Sequence, residues 1–238
     1  MANANKVALI TGANKGIGLE IARQLGKQGI TVVLGSRDPQ RGQTAADALK
    51  SEGIDAHTVK LEVTDAGDRD AALTFLQERF GGLDILVNNA GVLLETSEGV
   101  TPESLSKTYD ANVIAPYFLT ETLLPLLQAA PAGRVVHQSS GLGSLATNAS
   151  GDLPPAWMLP AYNSSKAALN MLGVIQAAAL KGTHVKVNIA HPGSVKTDMN
   201  PGGDLSVEEG AKTAVTLATL PDDGPTGGFF HLGETLPW

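Results

Sequence analysis

Tyr162 and Lys166 stand four residues apart, the separation that places two side chains one turn apart on the same face of a helix. A free phenol titrates near pH ~10 and exchanges protons poorly at neutrality. A fixed cation beside it favours the phenolate and lowers that value. The pair is therefore a candidate proton-transfer device, with an ordinary surface Tyr and Lys as the alternative. Further upstream, Ser139-Ser140 supplies two hydroxyls directly after a strand-like segment, Arg134–Gln138.

A second constellation opens the chain. Thr11-Gly12-Ala13-Asn14-Lys15-Gly16-Ile17-Gly18 has the spacing G-x-x-x-G-x-G. Gly12 permits a tight turn, Gly16 lets backbone come close to a pyrophosphate, and Gly18 lets the next helix pack tightly. A helix that starts there offers unpaired N–H groups and a partial positive charge. Three glycines alone are a weak signal. Their place between the first strand and the first helix points to dinucleotide binding.

The end of the second strand selects among dinucleotides. An acid there suits a ribose 2′-hydroxyl, but the run is Leu34-Gly35-Ser36-Arg37. Arg37, with Lys15 in the glycine loop, suits a 2′-phosphate, so NADP(H) is the expected cofactor. The alternative is that both are solvated surface cations.

These residues need a scaffold that brings distant positions together, and the chain reads as one. Strand patterns at Val7–Thr11, Thr31–Leu34, Ala56–Val63, Asp84–Val87, Arg134–Gln138, Val185–Ala190 and Phe229–Leu232 alternate with helix patterns. The helices are expected over Gly16–Gln28, Gln43–Lys50, Asp65–Phe80, Thr101–Gln128, Ala161–Leu180 and Val207–Leu220, with interruptions at Pro116 and Pro125. Alternation of this kind implies crossover connections. The expected fold is α/β: a single domain over residues 1–238, with a Rossmann-type, doubly wound parallel sheet of about seven strands and helices on both faces. In such sheets ligands bind beyond the carboxyl ends of the strands, where every motif above falls.

In order along the chain come the glycine loop, Asn88-Asn89-Ala90-Gly91, Ser139-Ser140, Tyr162 with Lys166, and Pro192-Gly193. This set resembles the short-chain dehydrogenase/reductase family from about Val7 to Thr197. Asn14-Lys15, Arg37 and Glu208-Glu209-Gly210-Ala211 resemble its NADPH-dependent carbonyl reductases in particular. The resemblance implies Tyr162 as the general acid in reduction and Lys166 as ligand of the nicotinamide ribose. It implies that Ser140 hydrogen-bonds the substrate carbonyl, with Ser139 as a strand-end cap, and that Asn112 holds a water relaying protons to Lys166. It also implies cofactor contacts from Asn89, Ala90 and Gly91, from Glu62-Val63 on the adenine side, and from Pro192, Gly193, Val195 and Thr197 around the carboxamide. The implied activity is NADPH-dependent reduction of ketones or aldehydes; oxidative alcohol dehydrogenation and a silent NADP(H)-binding regulator are the alternatives.

Three departures stand out. Glu62 occupies a place where many members carry Asp. Tyr162 follows Ser140 by 22 positions, and only nine separate Thr197 from Ser206, where a longer lid is common. The additional stretch Leu145–Pro160 contains Pro154-Pro155 and Trp157-Met158. It is expected to wall the substrate pocket and favour bulky, apolar ketones, with Trp157 as a substrate-binding residue; core packing or a subunit contact is the alternative for Trp157.

Composition narrows the rest. The 238 residues contain no cysteine, which excludes disulfides, thiolate metal ligands and a cysteine nucleophile. A net charge of −7 argues against nucleic acid as a partner. The longest apolar stretches, such as Met171–Leu180, are short of the ~20 residues of a membrane helix. Apolar sequence from Val7 leaves no room for a leader, so a cytoplasmic enzyme is expected, monomeric or homo-oligomeric, with a small carbonyl compound as its partner. Scattered histidines give no metal-ligand spacing; His137 and His191 read as buried, hydrogen-bonded imidazoles.

Overall fold

The computed structural model describes residues 6–95 and 99–238, so the leader reading of the first five residues lies outside the described ones. The chain runs β1 (Val7–Thr11), α1 (Gly16–Gly26), β2 (Thr31–Ser36), α2 (Pro39–Ser51), β3 (Ala56–Lys60), α3 (Ala66–Phe80) and β4 (Ile85–Asn88). There follow α4 (Pro102–Tyr109), α5 (Ala115–Ala129), β5 (Arg134–Gln138), α6 (Leu145–Ala149), α7 (Pro160–Ala179), β6 (Lys186–Ala190), α8 (Val207–Ala218), β7 (Phe229–His231) and β8 (Glu234–Thr235). All strands join one sheet in the order β3-β2-β1-β4-β5-β6-β7-β8. Every pairing is parallel except β7 with β8. Among the described residues the sheet thus has eight strands rather than seven. The extra one is a two-residue antiparallel return after Gly233 (φ 91°), too short to carry a period-two signature.

Strand residues alternate between two apolar layers because successive side chains point to opposite faces. Ala8, Ile10, Val32, Leu34 and Val136 pack with Ile21, Leu25 and Leu49 and with the small residues of α8. Val7, Leu9, Val33 and Val135 pack with Leu76, Leu119, Leu123 and Leu127 on the other side. A sheet buried on both faces reads as continuous apolar runs, as β1, β2 and β4 largely do.

Several boundaries differ from the pattern in the sequence. Helix α2 starts at Pro39 instead of Gln43, because Asp38 accepts hydrogen bonds from the Gln40 and Arg41 N–H groups and Pro39 fits the first helical position. Strand β3 stops at Lys60, so Glu62 and Val63 lie in the following loop. The expected break near Pro116 is a π turn over Asp110–Ile114 joining α4 to α5. An α-helix would aim the N–H of residue 116 at the Asn112 carbonyl; proline has none, and the wider turn takes its place. Pro125 interrupts nothing and sits inside α5. Among the described residues, no helix is long and apolar enough to cross a membrane.

Candidate active site

The motifs converge beyond the carboxyl ends of β1, β4, β5 and β6. Gly12 (φ 63°) and Gly16 (φ 57°) use backbone conformations that suit glycine. A Cβ on Gly18 would lie 2.4 Å from the Asn89 side-chain nitrogen and 2.7 Å from the Gly12 carbonyl oxygen. Gly18 therefore makes room for Asn89, whose side chain donates to the Thr11 carbonyl at 2.9 Å. The Thr11 hydroxyl accepts from the Asn89 and Ala90 N–H groups, both at 2.9 Å. Asn89 and Ala90 thus lock the glycine turn. A Cβ on Gly16 would meet nothing within 4 Å, and α1 begins with no side-chain cap and no acid in its first turn. An open, uncapped helix start suits a pyrophosphate.

The two candidate 2′-phosphate cations have acidic neighbours. Lys15 donates to Asp198 at 2.6 Å, across the mouth of the cleft. Arg37 lies 3.7 Å from Glu62, and its side chain is 83% exposed, open to a second anion. Glu62 also accepts from Thr64.

On the reaction side, Lys166 is buried and donates to the Gln138 carbonyl at 2.9 Å, with its ammonium 5.7 Å from the centre of the Tyr162 ring. Burial pushes the Lys166 ammonium down to about 8. The Tyr162 phenol is shifted upward by desolvation, against which a hydrogen bond from Ser140 works. The lowering expected from Lys166 is therefore not the net direction in the protein alone. Ser140 accepts from the Leu142 N–H at 3.2 Å, which leaves its own proton to donate. The Ser139 proton is committed to Asn170 at 2.6 Å. A Cβ on Gly143 would lie 2.8 Å from the Lys166 backbone, so that glycine lets the turn after Ser140 rest directly on α7.

Asn112, in the π turn, is buried, and its amide is spent. Its oxygen accepts from the Val92 N–H at 2.8 Å; its nitrogen donates to the Val92 carbonyl at 2.9 Å and to Ser165 at 3.1 Å. It clamps the segment after Gly91 to α7. A Cβ on Gly91 would stand 3.2 Å from the Asn112 oxygen and 3.5 Å from the Lys166 nitrogen, so the three share one corner.

One residue escapes a reading of the sequence, and a second has a role the sequence did not show. Glu95 accepts from the Ala161 and Tyr162 N–H groups at 2.9 and 2.8 Å, capping the helix that carries the phenol. No local motif marks it, because cap and helix are 66 positions apart. His191, expected to be a buried, hydrogen-bonded imidazole, is half-buried and accepts at Nδ1 from the Gly141 N–H at 2.9 Å and the Gly193 N–H at 3.3 Å, joining the loop after β5 to the loop after β6. Burial and the neighbouring His231 push it down to about 4. His137 is fully buried and held near 4 by desolvation, between Gln176 at 2.9 Å and Asn88 at 3.3 Å.

A cavity of about 600 Å³ lies above Ser140 and Tyr162. Pro192, Gly193, Val195 and Thr197 line one side, and Thr147, Leu153, Ala156 and Trp157 another. Trp157 is 46% exposed, which removes it from the core. Met158 does not reach the cavity and stands 63% exposed. The short lid after Thr197 is tied down by a bridge between Val195 and Leu205, and Met199 and Asn200 face the cavity.

A parallel sheet with this cluster of Ser, Tyr and Lys at its carboxyl edge defines a dinucleotide-dependent oxidoreductase class. Residues 6–204 match the family model described as short chain dehydrogenase, and the chain belongs to the short-chain dehydrogenase/reductase family. Salutaridine reductase of Papaver bracteatum is 36% identical, with 96% of this chain and 95% of that protein aligned. Carbonyl reductase [NADPH] 1 of Mus musculus is 34% identical over the full length of both. The solved structure of NADPH-bound carbonyl reductase from chicken fatty liver superimposes with a TM-score of 0.86 at 32% identity, covering 99% of this chain and 100% of that one.

Proposed function

We propose that this protein is an NADPH-dependent carbonyl reductase acting on bulky, apolar ketones or aldehydes. The observation that carries the reading is the Ser140–Tyr162–Lys166 cluster at the floor of a largely apolar cavity. Arg37 and Lys15 take the 2′-phosphate, Lys15 exchanging its partner Asp198 for it. The open start of α1 receives the pyrophosphate, and Lys166 holds the nicotinamide ribose.

When bound, the reduced nicotinamide supplies the hydride for the carbonyl carbon. As charge develops on the carbonyl oxygen, Ser140 donates a hydrogen bond and Tyr162 transfers its proton, yielding the alcohol. An upward-shifted phenol suits the acid role, since it holds its proton until the oxyanion forms. Pro116 has no N–H to give the Asn112 carbonyl, and that carbonyl is the assigned anchor for a water that relays protons to Lys166. Among the described residues, the cavity lining carries no titratable side chain apart from Tyr162 and His191, which favours neutral substrates.

Steady-state NADPH oxidation with a panel of ketones tests the reading. Tyr162→Phe is expected to lower kcat by about 10²- to 10⁴-fold with NADPH affinity little changed. Retention of a tenth of kcat removes Tyr162 as proton donor.

A further inference from the structure

The strip Leu236–Trp238 returns from β8 to the cavity. The Leu236 N–H donates to the Phe229 carbonyl at 2.8 Å. The Trp238 ring stacks on the ring of Phe229, with centroids 5.7 Å apart and planes 20° from parallel. Phe229 is fully buried and forms part of the cavity floor; Leu236 and Pro237 are in its wall. The Trp238 carbonyl then accepts from the Ala146 N–H at 2.7 Å. Ala146 lies in the first turn of α6, where N–H groups have no partner within the helix. The strip therefore touches the cavity with two side chains and braces the Leu145–Pro160 loop through a third residue.

We infer that Leu236, Pro237 and Trp238 determine substrate specificity. The inference rests on reading the cavity as a ketone site. Leu236 and Pro237 form an apolar wall that contacts the part of a ketone remote from its carbonyl. Trp238, stacked on Phe229 and bonded to α6, fixes the spacing between that wall and the one bearing Trp157. Small ketones, held near Ser140 and Tyr162, do not reach the strip; large aromatic ones do.

The test compares kcat/KM for benzophenone and acetophenone, with NADPH, in Leu236→Ala, Trp238→Ala and Trp238→Phe. The benzophenone-to-acetophenone ratio is expected to fall about tenfold in each alanine variant, the effect of a few missing methylenes in an apolar pocket. Trp238→Phe, which keeps a stacked ring, restores most of the ratio. The NADPH Kd from calorimetry stays within about twofold, as expected for a wall remote from the glycine turn. An unchanged ratio in an active Leu236→Ala protein overturns the inference alone. Equal losses for both ketones together with weakened NADPH binding overturn it too, by making the strip a general brace. If Trp238→Ala fails to fold, Leu236→Ala carries the comparison. A wild-type protein that reduces neither ketone overturns the functional reading itself, and this inference with it.

Discussion

At the scale of residues, two imidazoles set a limit on the pH range of the fold. His191 must stay neutral at Nδ1 to accept from Gly141 and Gly193. His137 is enclosed between Asn88 and Gln176. Both are held near 4 against an ordinary 6.5. The unfolded chain therefore binds more protons than the native one between those values. The stabilising contribution is complete above pH 6.5 and is lost as pH falls toward 4. Each imidazole accounts for about 3 kcal/mol at full loss. Urea unfolding measured between pH 7.5 and 5 is expected to show the midpoint falling below about pH 6.5; a flat profile rejects the assignment. What the sequence conveyed about residues followed distance along the chain. Tyr162 and Lys166 were legible because i, i+4 is a local relation, and the glycines because their roles belong to one turn. The engagement of Lys15 with Asp198 and of Arg37 with Glu62 was not, since each ion pair forms across loops from different strands.

At the scale of elements, α7 depends on an acid outside itself. Leu159 supplies no side-chain cap and Pro160 no N–H. The next two N–H groups go to Glu95, a negative charge at the positive end of the helix. Glu95→Ala is expected to cost about 1 kcal/mol, or roughly 2–4 °C in Tm for a chain of this size. It is also expected to lower kcat more than it raises the KM for NADPH, because the loosened turn carries the phenol. Glu95→Gln, which retains one acceptor, recovers much of kcat. A drop in Tm with kcat intact would limit Glu95 to capping. The helix was legible from its apolar spacing, but its cap was not. The π turn at Asp110–Ile114 was hidden for a related reason: a period of 3.6 does not distinguish i→i+4 from i→i+5 bonding over a single turn. Only Pro116 hinted that something had to give.

At the scale of the whole molecule, alternation made a doubly wound parallel sheet readable, but not the order β3-β2-β1-β4-β5-β6-β7, because crossover rules limit strand neighbours without fixing them. The return of Leu236–Trp238 to the cavity was not readable either, because neither periodicity nor a motif links it to Phe229 or Ala146. The central pairing, in which Ala8 faces Ile85, has a consequence in time. The glycine turn follows β1, while the side chain that locks it, Asn89, follows β4. The cofactor cleft therefore exists only after two segments nearly 80 positions apart have docked, a late event wherever such closure is slow. NADPH then recognises the finished protein and not its halves. Saturating cofactor at about 100 times Kd is expected to slow unfolding up to about 100-fold and to leave the refolding rate unchanged. Stopped-flow traces in both directions read this asymmetry, and faster refolding with NADPH would place the cleft early instead. The bound cofactor acts as a ratchet on the folded state and takes no part in reaching it.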